Sequence, residues 1–470
     1  MTQNNFVQSK SIPTGKSAGD SMQIKLFKAA AVISLGSCSF ASAGDIDTNY
    51  SRDFASRLRA QPTESDPAWF VERGDNTSMN ISALVQSRYT VSNRKTGFIV
   101  PSDANTYGFS NPRIQIALDG AIVSSQFNYR ISFDLGDAEL SRGRGTTGLL
   151  PGDTGNARLL DAYAQYNFTG KNEGYYLKFG QFKHILMTEE AIDSQYQLAA
   201  DRTLSSEIFG PGYTQGLAFG QVNDNFAWEF SITDGGRYIG SRETDNTSFN
   251  SLDEADAGFG GRLDWKIQGS WDQFKDFTSF KGSTPGSKLG GGILYQFQGQ
   301  TNPGSFIPGF VGTPAESGQI FTWTLDYQLE GDGWNFFAAY TGQYVDWEFA
   351  TATLGIMNNS VVLQGGRFMS ERTEVFARLE TFWIDKLFRN GFSTPDGYIH
   401  RIGTVGMTYY LLPESHAAKF TTDVSYAFDS LFVLALGAGG SIALPDPGTT
   451  GFLGLTAHEI VFRAQLQFAF

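Results

Sequence analysis

The side chains able to do chemistry are few and widely spread. Four histidines (His184, His400, His416, His458) and one cysteine, Cys38, are distributed over 470 residues. This excludes a disulfide scaffold and leaves no His/Cys spacing that would hold a metal. Covalent catalysis needs a base beside a nucleophile, and the nearest approach is Glu414-Ser415-His416, in a polar segment that reads as a turn. There is no glycine-rich nucleotide loop, so neither an enzyme nor a cofactor is expected. The other capable set is basic: Arg130, Lys178, Arg262, Lys266, Arg378, Lys419 and Arg463, each on the polar side of an alternating segment. A guanidinium presents a planar fork that matches phosphate oxygens, whereas an ammonium is a mobile point charge. Lining a pore, such groups would guide anions. Each could equally be half of an ion pair, because acids on the same side (Asp134, Asp161, Glu229, Asp264, Asp326, Glu380) are about as numerous.

These residues sit on segments with the signature of β-strands. In 126–135, Phe127, Tyr129, Ile131, Phe133 and Leu135 alternate with Gln126, Asn128, Arg130, Ser132 and Asp134. Period two places aromatics on one face of a strand and ionisable groups on the other. Segments 225–233 and 419–428 repeat the pattern. Similar stretches lie near 78–90, 112–120, 158–168, 174–182, 213–221, 257–267, 288–298, 319–329, 333–345, 360–369, 372–383, 398–411 and 458–469. The expectation is sixteen strands. Short links after the second, fourth, sixth and tenth alternate with long ones after the first, third, fifth, seventh and fifteenth, as in a transmembrane barrel with periplasmic turns and outer loops. The link 268–287 breaks the rule: it carries Trp271, Phe274, Phe277 and Phe280 where a tight turn is expected.

Composition decides which face meets what. The chain holds 54 Gly, 40 Phe, 19 Tyr and 8 Trp, with 41% hydrophobic residues, and no apolar run long enough for a membrane helix outside the N-terminal region. A soluble sandwich would carry mainly Val, Leu and Ile on its apolar face. Here that face is aromatic, as the girdles of outer-membrane barrels require. The ionisable face would be costly against hydrocarbon and suits a wet lumen, which sixteen strands make wide enough to hold water. The last strand ends Phe468-Ala469-Phe470, and pairing it with the first would leave no open edge. With 35 Lys+Arg against 48 Asp+Glu, the surface repels nucleic acid rather than binding it.

The first residues read as an export signal. From Met22, Lys25 and Lys28 precede the apolar run 29–35, and Ala41-Ser42-Ala43 is a small-x-small cleavage site. The stretch 1–21 is polar and reads as an over-extended start. Leu35-Gly36-Ser37-Cys38 also fits a lipidation box, although cleavage after Ala43 removes Cys38. The expected organisation is 1–43 as extra start plus signal, 44–76 as periplasmic helix and linker, and 77–470 as barrel. The helix rests on Tyr50, Phe54 and Leu58 recurring every four residues before Pro62.

Several short motifs are similar to those of a known family. Leu160-Asp161-Ala162-Tyr163, Gly180-Gln181-Phe182-Lys183 and Tyr196-Gln197-Leu198-Ala199-Ala200-Asp201-Arg202 resemble the phosphate-selective porin O and P family, as does the stretch 113–134. Gln215-Gly216-Leu217, Gln364-Gly365-Gly366-Arg367-Phe368 and Phe376-Ala377-Arg378-Leu379-Glu380 resemble its later strands. The segment 274–280 and a short helix before the barrel resemble the planctomycete version of the family. The resemblance implies a homotrimeric sixteen-stranded channel in outer-membrane lipid, with the third outer loop folded inward and basic residues guiding phosphate. That loop would be 183–212. It adds Lys183 and Arg202 to the candidate residues, although strict alternation points Lys183 outward. The same loop contains Glu189, Glu190, Asp193, Asp201 and Glu207 and is net acidic, while His184-Ile185-Leu186 departs from the family pattern. The expectation is therefore an outer-membrane porin passing small hydrophilic solutes, with phosphate and other anions as its small-molecule partners. The alternatives are a weakly selective general-diffusion porin and a structural or adhesive surface barrel.

Overall fold

The computed structural model describes residues 71–72, 77–94, 104–122, 124–136, 157–169, 174–236, 255–299, 315–385, 399–431, 451–452 and 457–470. The expected signal, the helix near 45–61 and the loop 437–450 lie outside these residues. Sixteen long strands are present among those described. They begin with β1 (Ser78–Arg94), β2 (Ala104–Ile122), β3 (Ser124–Asp134) and β4 (Arg158–Asn167). Next come β5 (Gly174–Lys183), β6 (Tyr213–Val222), β7 (Phe226–Thr233) and β8 (Ala257–Gln268). They continue with β9 (Gly286–Gln298), β10 (Ser317–Gly331), β11 (Trp334–Phe349) and β12 (Ala352–Phe368). The last four are β13 (Thr373–Trp383), β14 (Ile399–Tyr410), β15 (Ala418–Ala427) and β16 (Ile460–Ala469).

Each strand pairs antiparallel with the next, and β16 pairs with β1 from Ile460↔Asn93 to Ala469↔Leu84, so the sheet closes on itself. A two-residue strand, Val71–Glu72, adds to the start of β1 inside the stretch expected to be linker. Closure satisfies every ladder without an edge, which a sheet in hydrocarbon requires. The expected all-β barrel of sixteen antiparallel strands is borne out, with Phe470 directly after the last of them.

Two local departures from the expected spacing have physical causes. Sequence alternation starts the second strand near 112, yet β2 begins at Ala104. Its ladder with β1 skips a step, with Arg113↔Gln86 followed by Ser110↔Arg88. Asn111 and Pro112 fall in the gap, so a bulge accommodates the proline that lacks a donor, and the strand continues beyond it. The link after β11 shrinks to residues 350–351, because β11 and β12 extend to the pair Phe349↔Ala352.

The faces separate as the alternation requires. Pointing outward are exposed apolar side chains such as Phe127, Ile131, Leu177, Phe230, Leu263, Ile293, Leu325, Val405 and Leu466. Near the short-turn end Tyr175 stacks on Phe219 at 5.8 Å and Phe226 on Trp265 at 6.1 Å. Near the other end Phe259 stacks on Phe297 at 6.3 Å and Phe321 on Trp323 at 5.3 Å. Phe259 and Trp265 lie on one strand, about 20 Å apart at the usual rise per residue. An apolar band between two aromatic rows of that height fits a lipid bilayer and not bulk water. No helix among the described residues is long and apolar enough to cross a membrane; the strands do the crossing.

The inward face is not uniformly polar. Towards the loop end of β9 to β14 it carries Leu294, Ile320, Val345, Trp347, Ile356, Phe382 and Ile402, all buried. Besides one another and wall residues such as Phe349 and Val461, their cluster takes in Leu186, Met187, Leu204, Ile208 and Phe209 of a loop, which brings the description to the lumen.

Candidate functional site

The segment 184–212 leaves the outer end of β5, enters the barrel and crosses it before rejoining β6. It contains two short helices, α1 (Thr188–Ala191) and α2 (Leu204–Phe209), with a 3₁₀ turn (Ser194–Tyr196) between them. α2 starts where it does because Thr203 caps it: its side chain accepts from the Ser206 amide, worth about 1 kcal/mol for such a cap. Apolar spacing within α2 puts Leu204, Ile208 and Phe209 into the inward hydrophobic nest with Trp347 and Phe382. At its entry, glycines make room. A Cβ on Gly260 would stand 2.2 Å from His184 Nε2, and one on Gly292 2.7 Å from the Leu186 carbonyl oxygen.

Polar contacts pin the loop to opposite walls. On one side Arg262 donates to Asp264, Asp326, the Leu186 carbonyl and Thr188 Oγ1, with Nη2 to Asp264 Oδ1 at 2.6 Å. On the other, Arg88 Nη1 meets Asp201 Oδ2 at 2.9 Å and Arg113 Nη2 meets Asp201 Oδ1 at 2.7 Å. Arg378 donates both Nη atoms to the Asp201 carbonyl at 3.1 Å. Burial alone would raise the Asp201 carboxyl, but the guanidiniums of Arg113 and Arg88 outweigh it and hold the group well below the usual carboxylate range. The Ala200 amide donates to Asp423, itself paired with Arg463 at 2.7 Å.

Three of the loop's five acids are engaged: Asp201 by the wall arginines, Glu189 and Glu190 within the loop itself. Glu189 accepts from the Thr203 amide at 2.8 Å and from its hydroxyl. Glu190 accepts from the Gly212 amide at 2.8 Å. Both are buried, as is Asp201. The net acidity counted along the loop does not translate into three exposed negative charges.

The nine basic candidates occupy different situations. Arg130 bridges Asp161 at 2.9 Å and Asp119 at 3.5 Å, and Lys178 contacts Glu229 at 2.8 Å beneath the rings of Phe182 and Tyr163. Arg262, Arg378 and Arg463 are held as described above. Lys419 donates to the Gln197 carbonyl at 3.0 Å, so it supports the loop. Lys183 lies over the Tyr213 ring at 5.1 Å and donates to the Glu190 carbonyl at 3.2 Å. It follows Gly180, whose φ of +125° twists the end of β5. Arg202 clasps the loop through the Ile192 and Glu189 carbonyls and Ser194 Oγ; none of these described partners is a carboxylate. Lys266, at the inner rim, lies over the Trp271 ring at 5.3 Å. The structure thus brings Arg378 and Arg463 together around Asp201 and leaves Arg130, Lys178 and Lys266 elsewhere on the wall. It adds Arg88 and Arg113, which sequence reasoning passed over. Parity could have found Arg88 beside Gln86; Arg113 was hidden by the bulge.

His184 is buried, with Nε2 3.4 Å from Ser231 Oγ, and burial lowers it to about 4. His416 faces Asp276 at 3.4 Å and the edges of Tyr196 and Tyr410, while Ser415 caps the Ala417 amide instead of pairing with it.

A closed antiparallel barrel with an aromatic-banded apolar exterior, an ionisable interior and one loop folded across the lumen is the architecture of an outer-membrane porin. Residues 100–278 match the family described as phosphate-selective porin O and P, and the resemblance read from the motifs is borne out. No curated protein matches the chain in sequence. Among solved structures it is similar to the outer membrane channel DcaP of Acinetobacter baumannii (TM-score 0.53, 9% identity, covering 85% of this chain and 99% of that one). It is also similar to the anion-selective porin from Comamonas acidovorans (0.51, 9%, 84% and 100%) and to OprB of Pseudomonas putida (0.51, 11%, 83% and 94%). At these identities the likeness is one of fold; the family match, with the barrel, points to a channel rather than an enzyme.

Proposed function

We propose that the chain is an outer-membrane channel for passive diffusion of small hydrophilic solutes, with a modest preference for anions and phosphate among those admitted. One observation carries the channel reading: a closed barrel turned apolar side out, whose ionisable lumen is crossed by the loop 184–212. Export by a cleaved signal and assembly as a homotrimer accompany this reading; the signal-like sequence supports the first and the family resemblance the second. Anion preference is supported by the engagement of Glu189, Glu190 and Asp201 in buried contacts, while Arg202 and Lys266 keep charges with no carboxylate partner among the described residues. Ions respond to the field at the narrowest zone rather than to ancestry. The general-diffusion alternative is favoured by the ion-paired state of Arg130, Lys178, Arg262 and Arg463, and by Arg378 lying 3.8 Å from Glu189 Oε1, which together cancel much of the positive field.

Planar-bilayer recording in a KCl gradient tests both. Defined conductance steps with a reversal potential displaced modestly towards chloride are expected; silence would favour a structural or adhesive barrel. R202Q and K266Q should shift the reversal potential towards cations and weaken phosphate block of chloride current. Single changes at Arg130 or Lys178 are less informative, because each frees a carboxylate that itself attracts cations. The double variant R130Q/D161N removes that ambiguity. If neither R202Q nor K266Q moves either quantity, the anion reading fails and the general-diffusion reading stands.

A further inference from the structure

The link between β8 and β9 lies at the short-turn, periplasmic end, where neighbouring hairpins close in a few residues, yet it runs from 269 to 285. A long polar link there would simply hang in water. This one carries four aromatic side chains and places two of them, Phe274 and Phe277, among the most deeply buried in the described chain. Its first turn (Trp271–Lys275) is fixed by a capping box between Ser270 and Gln273. Trp271 donates to the Asn223 carbonyl of the β6–β7 turn at 2.8 Å.

From there the chain turns into the barrel mouth. Gln328 of β10 donates to the Asp276 carbonyl at 2.6 Å, and Ser279 donates to the Gly331 carbonyl at 2.6 Å. Phe277 packs on Phe337 of β11 at 4.8 Å. Phe280, whose carbonyl accepts from the Gly333 amide of the β10–β11 turn at 3.2 Å, extends to Phe368 of β12 at 5.3 Å and Tyr410 of β14 at 5.1 Å. Midway it meets the loop from the outer side: the Phe277 amide donates to the Tyr196 carbonyl at 3.4 Å, and Phe277 shares a buried cluster with Ile192, Tyr196, Leu198 and Ala199.

We propose that the link 269–285 is a second constriction of the channel, a docked periplasmic strap that sets the solute size limit from the inner side as the loop 184–212 does from the outer. This rests on the channel reading above. Packing of its aromatic side chains against β11, β12 and β14, with hydrogen bonds to β10, is far more anchoring than closing one hairpin requires, and the burial of Phe277 among Tyr196, Leu198 and Ala199 of the inward loop places the strap inside the opening. A segment serving only to close β8 to β9 would have no reason to touch β12 and β14.

The test uses the full chain in planar bilayers, with non-electrolyte polymers of graded size added to one side at a time. In F277A/F280A the strap loses its two lumenal anchors, while the barrel ladders are untouched. The size cut-off measured from the periplasmic side should shift upward, with the outer-side cut-off unchanged. An unchanged inner cut-off in a barrel whose heat-modifiable gel migration is intact overturns the proposal. Should that variant misassemble, D272C in a C38S background offers an exposed handle on the strap. A thiol-reactive polyethylene glycol added from the periplasmic side should then reduce the current, and no reduction after complete labelling overturns the proposal. Failure of the wild type to conduct would instead sink the channel reading itself.

Discussion

Asp201 is the residue on which the lumenal electrostatics turn. Each oxygen of its carboxylate accepts from one arginine, Arg88 or Arg113, and its carbonyl accepts from a third, Arg378. Removing one member of a buried pair leaves an uncompensated charge, typically at a cost of about 3–5 kcal/mol. D201N should therefore lower the denaturant midpoint of the refolded barrel. It should also move the reversal potential towards anions, because Arg88 and Arg113 lose their counter-charge but not their places; a shift towards cations would show that these arginines do not face the permeation path. His184 makes a pH-dependent contribution. Its folded value lies below the ordinary one, chiefly through burial, partly offset by Glu229 and reinforced by Lys178. The unfolded chain thus binds more protons between about pH 6.5 and 4, so stability is complete above that window and declines as pH falls through it. H184Q should flatten this slope in thermal melts across the same range, and an unchanged slope would place its origin in another group.

Elements show how much of this could be read from a chain of letters. Strand number, facing and closure were legible because a barrel wall obeys period two almost everywhere, as 126–135 and 419–428 illustrate. The exceptions were illegible for the same reason. Pro112 broke the alternation and hid half of β2, since a bulge is a property of two strands. Trp347 and Ile356 fit the inward parity, but nothing local says that they await α2. The role of 269–285 depends on Phe337, Phe368 and Tyr410, distant in sequence. Glycines at the loop's entry belong to this scale as well. G292V would push a side chain into the Leu186 carbonyl, displacing the loop without disturbing the β9 ladders with β8 and β10. The expected result is normal assembly with noisier single-channel current; a quiet channel of unaltered conductance would mean that the loop tolerates the displacement.

At the scale of the whole molecule the decisive contact is the seam. A barrel is stable in lipid only when its last strand satisfies the first, because open N–H and C=O groups there cost several kcal/mol each. β16 supplies that ladder, and Phe470 extends it beyond the strand: its amide donates to the Ala83 carbonyl at 2.9 Å and its carbonyl accepts from the Ala83 amide at 2.6 Å. Backbone and side chain do separate work at this position. The two hydrogen bonds belong to the main chain and survive F470A, whereas the ring is exposed on the outer, lipid-facing surface near Phe468. Deleting 468–470 removes both, together with the rung Phe468↔Val85. The truncated chain should collect in the periplasm without the heat-modifiable band of a closed barrel, while F470A should close normally once refolded in detergent yet insert less efficiently in cells. Normal outer-membrane levels of the truncated chain would show that the rungs from Ile460 to Gln467 close the barrel alone and that the terminal residues are dispensable.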